Sequence, residues 1–270
     1  MIDLLGYDGK VCTITGAFSG MGEAAARNLI ELGAEVHALD IKQPSLDVAQ
    51  FIEVDLKDQG SIDAALKQLP KRVDRHFNCA GVPGPPFSNT DTVMVNFVGL
   101  RYLTEALLPR MVDNGAIASI TSVAGMGFKN NIQNVQELIA IEDFQAARKW
   151  CDENPTKAVG YIFSKQCITA WTKMRAVSLA QDRGIRINCL SPAPTDTPML
   201  PDFHAQVSKE FLESHFLAPV GRNATPAEMG DPLIFLNSDM ARFISGVNLF
   251  VDYGFVGDWE VGQRDILGIA

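Results

Sequence analysis

Short apolar runs alternate along this chain with longer stretches in which apolar residues recur every three or four positions. The short runs predict strands at Val11 to Thr15, Glu35 to Leu39, Phe51 to Val54, Arg75 to Cys79, Ala116 to Thr121, Arg186 to Leu190 and Asn248 to Val251. Helical spacing covers Gly22 to Leu32, Ser61 to Leu69, Val93 to Met111 and Val159 to Asp182, and Gly33 and Gly184 fall where helices should stop. Strands that are apolar on both faces and separated by helices imply a parallel sheet covered on both sides. The pattern therefore predicts an α/β fold, a doubly wound parallel sheet of about seven strands. No repeat or linker divides it, so 1–270 reads as a single domain.

Composition narrows the class. With 270 residues, 47% of them hydrophobic, the chain can bury one large core. A net charge of −9 and the lack of a Lys/Arg cluster argue against nucleic-acid or anionic-membrane partners. The start, Met1 to Asp8, has neither the basic lead nor the apolar core of a signal peptide, and charges or turn formers interrupt every apolar run. The expectation is a cytoplasmic protein. Cys12, Cys79, Cys151, Cys167 and Cys189 are odd in number and widely spaced, and four scattered histidines show no ligand spacing. Neither a disulfide framework nor a metal site is expected.

Two local patterns carry chemistry. Thr15-Gly16-Ala17-Phe18-Ser19-Gly20-Met21-Gly22 lies between a predicted strand and a predicted helix. Glycines in that position let the backbone turn tightly and approach a pyrophosphate at the helix N-terminus. The second strand ends at Asp40, about twenty residues beyond that turn, where a carboxylate meets the adenosine ribose and repels a 2′-phosphate. This favours NAD over NADP, with Lys42 as a counter-signal. Tyr161 and Lys165, four apart on a predicted helix, share one face. An ammonium beside a phenol lowers the phenol's pKa and suits it to proton transfer, although the same spacing is common on ordinary helix surfaces.

With these residues in order, the chain resembles the short-chain dehydrogenase/reductase family along almost its whole length. Gly16, Ser19, Gly20, Met21 and Gly22 match its nucleotide-binding turn, and Asp55-Leu56 resembles its adenine-contacting acid. Asn78-Cys79-Ala80-Gly81 is similar to its N-N-A-G, with Cys79 in place of the second asparagine. Asn96 falls at its relay asparagine, Ser122 at its catalytic serine, and Tyr161 and Lys165 at its Y-x-x-x-K pair. Ser191-Pro192-Ala193-Pro194-Thr195-Asp196-Thr197 resembles the loop that holds the nicotinamide. The resemblance implies a Rossmann-type fold and a nicotinamide cofactor held by these residues, including Asn78, Ala80, Gly81, Tyr161, Lys165, Pro192, Thr195 and Thr197. It implies Tyr161 as acid/base, Ser122 on the substrate oxygen, Lys165 tuning the tyrosine, and Asn96 relaying protons through a water. It also implies a homodimer or homotetramer. Ala193 and Tyr253 stand where most members have glycine. Short Asp40-to-Asp55 and Asn78-to-Asn96 spacings and a long Ser122-to-Tyr161 stretch are similar to the 3α-hydroxysteroid dehydrogenase/carbonyl reductase branch.

Two segments remain. Residues 123–160 show helical spacing and predict one or two extra helices, forming a wall over the substrate, a surface ornament, or a mixture of the two. Residues 199–220 carry Leu200, Phe203, Val207, Phe211, Leu212, Phe216 and Leu217 and read as a substrate-side flap. Neither offers a cluster of arginine or lysine, so the expected substrate is a hydrophobic secondary alcohol or its ketone: steroid-like, terpenoid or aromatic. Other readings of the same residues are a non-catalytic dinucleotide-binding regulator or scaffold, and a related lyase or epimerase. Thr225-Pro226-Ala227-Glu228 reads as a capped helix start.

Overall fold

A computed structural model describes residues 3–263; the first two and last seven residues of the expected 1–270 domain lie outside them. The strands are β1 (Val11–Thr15), β2 (Glu35–Asp40), β3 (Gln50–Glu53), β4 (Val73–Asn78), β5 (Met111–Ile120), β6 (Arg186–Pro192) and β7 (Asn248–Val251). All pair in parallel in one sheet, in the order β3-β2-β1-β4-β5-β6-β7. That order reverses direction between β1 and β4. In sheets of this kind the crevice beyond the strands' C-terminal ends at the reversal is where ligands bind.

The helices are α1 (Gly20–Glu31), α2 (Gln59–Gln68), α3 (Asn89–Val93), α4 (Leu100–Leu107), α5 (Ile132–Ile139), α6 (Phe144–Glu153), α7 (Gly160–Arg183), α8 (Leu200–Gln206), α9 (Lys209–Phe216), α10 (Pro226–Asn237) and α11 (Phe255–Glu260). They cover both faces of the sheet. On one face Phe97, Leu103, Phe163 and Trp171 pack with Ile117 and Ile187; on the other Leu29 and Leu233 pack with Ile14, Val36 and Phe77. Each such side chain contributes about 1.5–3 kcal/mol by leaving water. α7 stops where the sequence predicts. Gly184 takes φ +66°, and a Cβ there would fall 2.4 Å from Asn114 Oδ1. At α10, Thr225 Oγ1 accepts from the Glu228 N–H at 3.3 Å, while Glu228 Oε2 accepts from the Thr225 N–H at 2.8 Å. That reciprocal cap is the one the sequence predicts.

The expected helix over Val93 to Met111 is not continuous. α3 passes into a π-helical turn at Met94–Gly99, then α4, then a 3₁₀ turn at Leu108–Arg110, and Met111 already belongs to β5. A π turn closes its hydrogen bonds over five residues in place of four, and Pro109 lacks the N–H that would continue an α-helix.

Residues 123–160 form a 3₁₀ stretch at Val123–Asn131 followed by α5 and α6. The buried Arg101 guanidinium on α4 donates to the Leu138, Ile139 and Ile141 carbonyls at the end of α5. Trp150 stacks on Phe163 of α7 at 5.9 Å, and Arg148 pairs with Asp91 at 3.2 Å. α5 and α6 thus lie on the outer helix layer, the surface alternative for this segment. Val123 and Met126 instead join an apolar cluster with Phe216, Phe250, Phe255 and Trp259.

Candidate active site

The glycine-rich turn is built so that only glycine fits at its closest points. Gly16 takes φ +73° with a hypothetical Cβ 2.6 Å from the Ala80 nitrogen, and a Cβ on Gly22 would lie 2.1 Å from the Gly16 carbonyl oxygen. Thr15 Oγ1 accepts the N–H groups of Cys79 and Ala80 at 3.1 and 3.2 Å, tying the turn to the end of β4. Thr15 belongs to the motif, but its role depends on a neighbouring strand and is not visible from spacing. Ser19 precedes α1, and Gly20, Met21 and Gly22 form its first turn, so free N–H groups face the crevice.

Asp40 closes the other side. Its Oδ2 accepts from the Phe18 N–H at 3.0 Å and its Oδ1 from the Lys42 N–H at 3.1 Å. The Lys42 ammonium lies over the Phe18 ring, 5.3 Å from its centre. Asp55 Oδ1 accepts from the Lys57 N–H at 3.0 Å, and the Leu56 carbonyl lies against Gly99 so closely that a Cβ there would overlap it. Ala80 and Gly81 border the turn, and a Cβ on Gly81 would lie 3.2 Å from Asn96 Oδ1 and 3.8 Å from Lys165 Nζ.

The Asn78 amide is turned into the sheet. The Asn78 side chain is fully buried; its Nδ2 donates to Thr104 and Ser119 at 3.0 and 3.2 Å, and its Oδ1 accepts from His76 Nε2 at 2.9 Å. Strand alternation puts His76 and Asn78 on one face. The register aligns them with Thr13 and Ser119, so Asn78 stitches the sheet instead of facing the crevice. The Thr195 hydroxyl is likewise engaged, donating to the Ala193 carbonyl at 2.8 Å. Thr197 does reach the turn: a Cβ on Gly20 would lie 3.2 Å from its Cγ2. Pro192, the last residue of β6, starts that loop.

The remaining predicted groups converge. Ser122 follows β5, and its Oγ accepts from the Ala124 N–H at 3.2 Å. Tyr161 lies in the first turn of α7, with its phenol close enough to Ser122 to feel that hydroxyl. Burial raises the Tyr161 pKa above its ordinary value, and the Ser122 hydroxyl opposes that rise. Lys165, one turn on, is buried; its Nζ donates to the Ile120 carbonyl at 3.0 Å and lies 5.4 Å from the Tyr161 ring centre. Burial brings the lysine pKa down to about 8. The expectation that Lys165 depresses the tyrosine is therefore not met by the protein groups alone. Desolvation dominates, and the ammonium is aimed at a carbonyl. Asn96 lies in the π turn; its Oδ1 accepts from the Val82 N–H at 2.7 Å, and its Nδ2 donates to the Val82 carbonyl at 3.0 Å and to Ser164 at 3.2 Å. Its amide clamps the loop after β4.

A glycine turn that admits no Cβ, a carboxylate at the end of β2 and a Ser–Tyr–Lys set at the same crevice match a dinucleotide-dependent enzyme. Comparison with known proteins decides the family. A model described as "short chain dehydrogenase" matches residues 10–134, and one described as "Enoyl-(Acyl carrier protein) reductase" matches residues 131–256. A coniferyl-alcohol dehydrogenase from a Pseudomonas species is 32% identical, over 93% of this chain and 98% of its own. The chain belongs to the short-chain dehydrogenase/reductase family. This short-chain dehydrogenase is also 28% identical to a rat L-fucose dehydrogenase, over 92% of this chain and 90% of that one. Among solved structures it is similar to a Pseudomonas 3-alpha-hydroxysteroid dehydrogenase complexed with NADH. The TM-score is 0.76 at 28% identity, covering 95% of this chain and 100% of that one. The family is one of oxidoreductases that bind a nicotinamide dinucleotide, and the seven-stranded sheet is its fold. Among the described residues no helix is long and apolar enough to cross a membrane.

Proposed function

We propose that this enzyme uses NAD to interconvert a hydrophobic secondary alcohol and its ketone, with Tyr161 as the acid/base. The observation that carries the reading is the Tyr161 phenol beside the Ser122 hydroxyl, with the Lys165 ammonium 5.4 Å from the centre of the same ring. A substrate oxygen placed between those two hydroxyls lies within reach of one proton donor and one proton carrier.

The chain's own groups fit the cofactor. Gly16 and Gly22 permit a turn so tight that any side chain would collide with the Ala80 backbone or the Gly16 carbonyl, and the first N–H groups of α1 beyond it would hold a pyrophosphate. The carboxylate of Asp40, fixed by two backbone N–H groups, would take ribose hydroxyls and oppose a 2′-phosphate. Lys42, the counter-signal, is drawn over the Phe18 ring. When bound, the nicotinamide supplies the hydride acceptor in oxidation and the hydride donor in reduction.

The protein groups handle the proton. In reduction the Tyr161 hydroxyl donates to the carbonyl oxygen while Ser122 holds that oxygen in place. Burial keeps Tyr161 protonated at neutral pH, the form that step needs. In oxidation the Tyr161 oxygen must first give up its own proton, and the phenolate then takes the proton of the substrate hydroxyl. Lys165, next to Asn96 and Gly81, links the tyrosine to the loop after β4 and holds positive charge below the phenol.

Relatives named for coniferyl alcohol, L-fucose and a 3-alpha-hydroxysteroid differ in what they act on, so the walls argue the substrate class. The apolar side chains nearest the site are Phe203, edge-on to Tyr161, and the cluster of Val123, which follows Ser122, with Met126, Phe216 and Phe255. NADH absorbance, followed with a panel of secondary alcohols, tests the reading. Turnover of hydrophobic members with NAD is expected; no turnover of any alcohol with either NAD or NADP defeats it.

A further inference from the structure

The flap over residues 199–220 is gripped at both ends. At its stem, Thr195 pairs with Ala224 in an isolated bridge, and Asn223 Nδ2 donates to Asp196 Oδ1 at 2.8 Å. At its tip, Gln206 Nε2 donates to the Pro83 carbonyl at 3.3 Å. Pro83 follows Val82, the residue that Asn96 holds by two hydrogen bonds. Gly84 adopts φ +107°, with a hypothetical Cβ 3.5 Å from Gln206 Oε1. Between stem and latch, α8 presents Phe203 to Tyr161. The two rings meet edge to face, centroids 5.1 Å apart and planes at 76°.

That contact fixes what can lie beside the reacting carbon. The substrate oxygen must reach the Ser122 and Tyr161 hydroxyls, so the group carried on the reacting carbon sits in the space flanked by Phe203. Aromatic rings attract one another edge to face through their quadrupoles, at the separation seen between Phe203 and Tyr161. A flat ring can join such a pair. A saturated ring offers no quadrupole, and its axial hydrogens make it thicker.

We propose that Phe203 is a specificity-determining residue that selects a flat, unsaturated ring on the carbinol carbon over a puckered saturated ring of the same carbon count. The inference rests on the alcohol–ketone reading above and adds the substrate's shape to it. Gln206 acts as a positioning residue, holding α8 so that the Phe203 ring keeps its angle to Tyr161.

The test compares kcat/KM for 1-phenylethanol and 1-cyclohexylethanol, each enantiomer separately, with NAD in excess. The wild-type protein should favour the phenyl compound by about tenfold. Phe203→Leu, which keeps an apolar side chain of similar reach but removes the ring, should bring the ratio to within about twofold of unity. Gln206→Leu leaves the ring in place but unlatched, and should lower the ratio by at least about twofold while raising KM for both alcohols. A wild-type ratio at or below one, or the same ratio in both variants, overturns the role of Phe203. If both alcohols turn over with an unchanged ratio, the alcohol–ketone reading stands and this inference alone fails. If the wild-type protein oxidises no alcohol at all, that reading fails and takes this one with it.

Discussion

The Lys165 ammonium donates to the Ile120 carbonyl at 3.0 Å while lying 5.4 Å from the centre of the Tyr161 ring. One lysine thus fastens the end of β5 to the first turns of α7. Ser122, two residues beyond Ile120, then meets the Tyr161 phenol. The geometry of the proton carrier is set by the sheet itself.

Removing the phenol oxygen tests that arrangement. Tyr161→Phe keeps the ring and its contact with Phe203, so the cleft should hold its shape. Turnover should fall by about 10²–10⁴-fold, the range for loss of a positioned acid/base. NADH affinity, measured by fluorescence titration, should change little. Retained turnover would remove Tyr161 from the mechanism.

The depressed pKa of Lys165, about 8, predicts a pH limit for carbonyl reduction. Tyr161, raised by burial, remains protonated through the neutral range, so it imposes no loss there. Lys165 carries its charge below pH 8 and gives it up above. The kcat/KM for reduction should therefore be flat at neutral pH and fall as pH rises through about 8. Lys165→Met should show a low rate without that limb; an unchanged limb in this variant would assign it to another group.

His76 predicts acid lability. It is fully buried between Thr13 and Asn78, and burial lowers its pKa from 6.5 to about 4. Because its Nε2–H donates to Asn78 Oδ1, Nδ1 is left to accept from the Thr13 hydroxyl, and a second proton would break that bond. The unfolded chain binds this proton below pH 6.5 and the folded chain only near 4. Stability is therefore complete above 6.5 and declines as pH falls to 4, by about 3 kcal/mol in all. Urea denaturation at pH 7.5 and 4.5 measures the loss, and His76→Gln should show a smaller difference between the two. Equal differences would exclude His76 as the source.

Arg101 predicts how the insertion is held. Its guanidinium is 7% exposed and bonds three carbonyls at the end of α5. Arg101→Met removes the donor to the Ile139 and Ile141 carbonyls, while Leu138 keeps the Ile141 N–H, at a cost of about 2–4 kcal/mol. Hydrogen exchange should speed up over 132–153 first, with kcat reduced far less than by Tyr161→Phe. Exchange unchanged in that segment would mean that Trp150 and Phe144 hold it without help.

Much of this was legible in the sequence, for physical reasons. β1 has the predicted boundaries because Lys10 and Gly16 bracket it, and β7 ends where Asp252 follows its apolar run. Gly16, Gly22 and Asp40 were found because the turn and the end of β2 constrain residue type strongly. The inward turn of the Asn78 amide was not legible, because a motif position says nothing of cross-strand register. The π turn around Asn96 was hidden because five of its six residues are buried, so no polar face marks the change of pitch. The rise in the Tyr161 pKa was hidden as well: spacing reports that a lysine is near, but not that burial outweighs it.

The stem of the flap has a wider consequence. Because Thr195 and Ala224 pair, the chain departs from and rejoins the scaffold at a single doorway. Residues 199–220, which lie between them, contribute no strand to the sheet, so a change confined to that stretch leaves the register of every strand as it is. A lineage, or an engineer, can therefore retune what this enzyme accepts by editing one uninterrupted stretch of the gene, while the proton-handling trio stays where the sheet has put it.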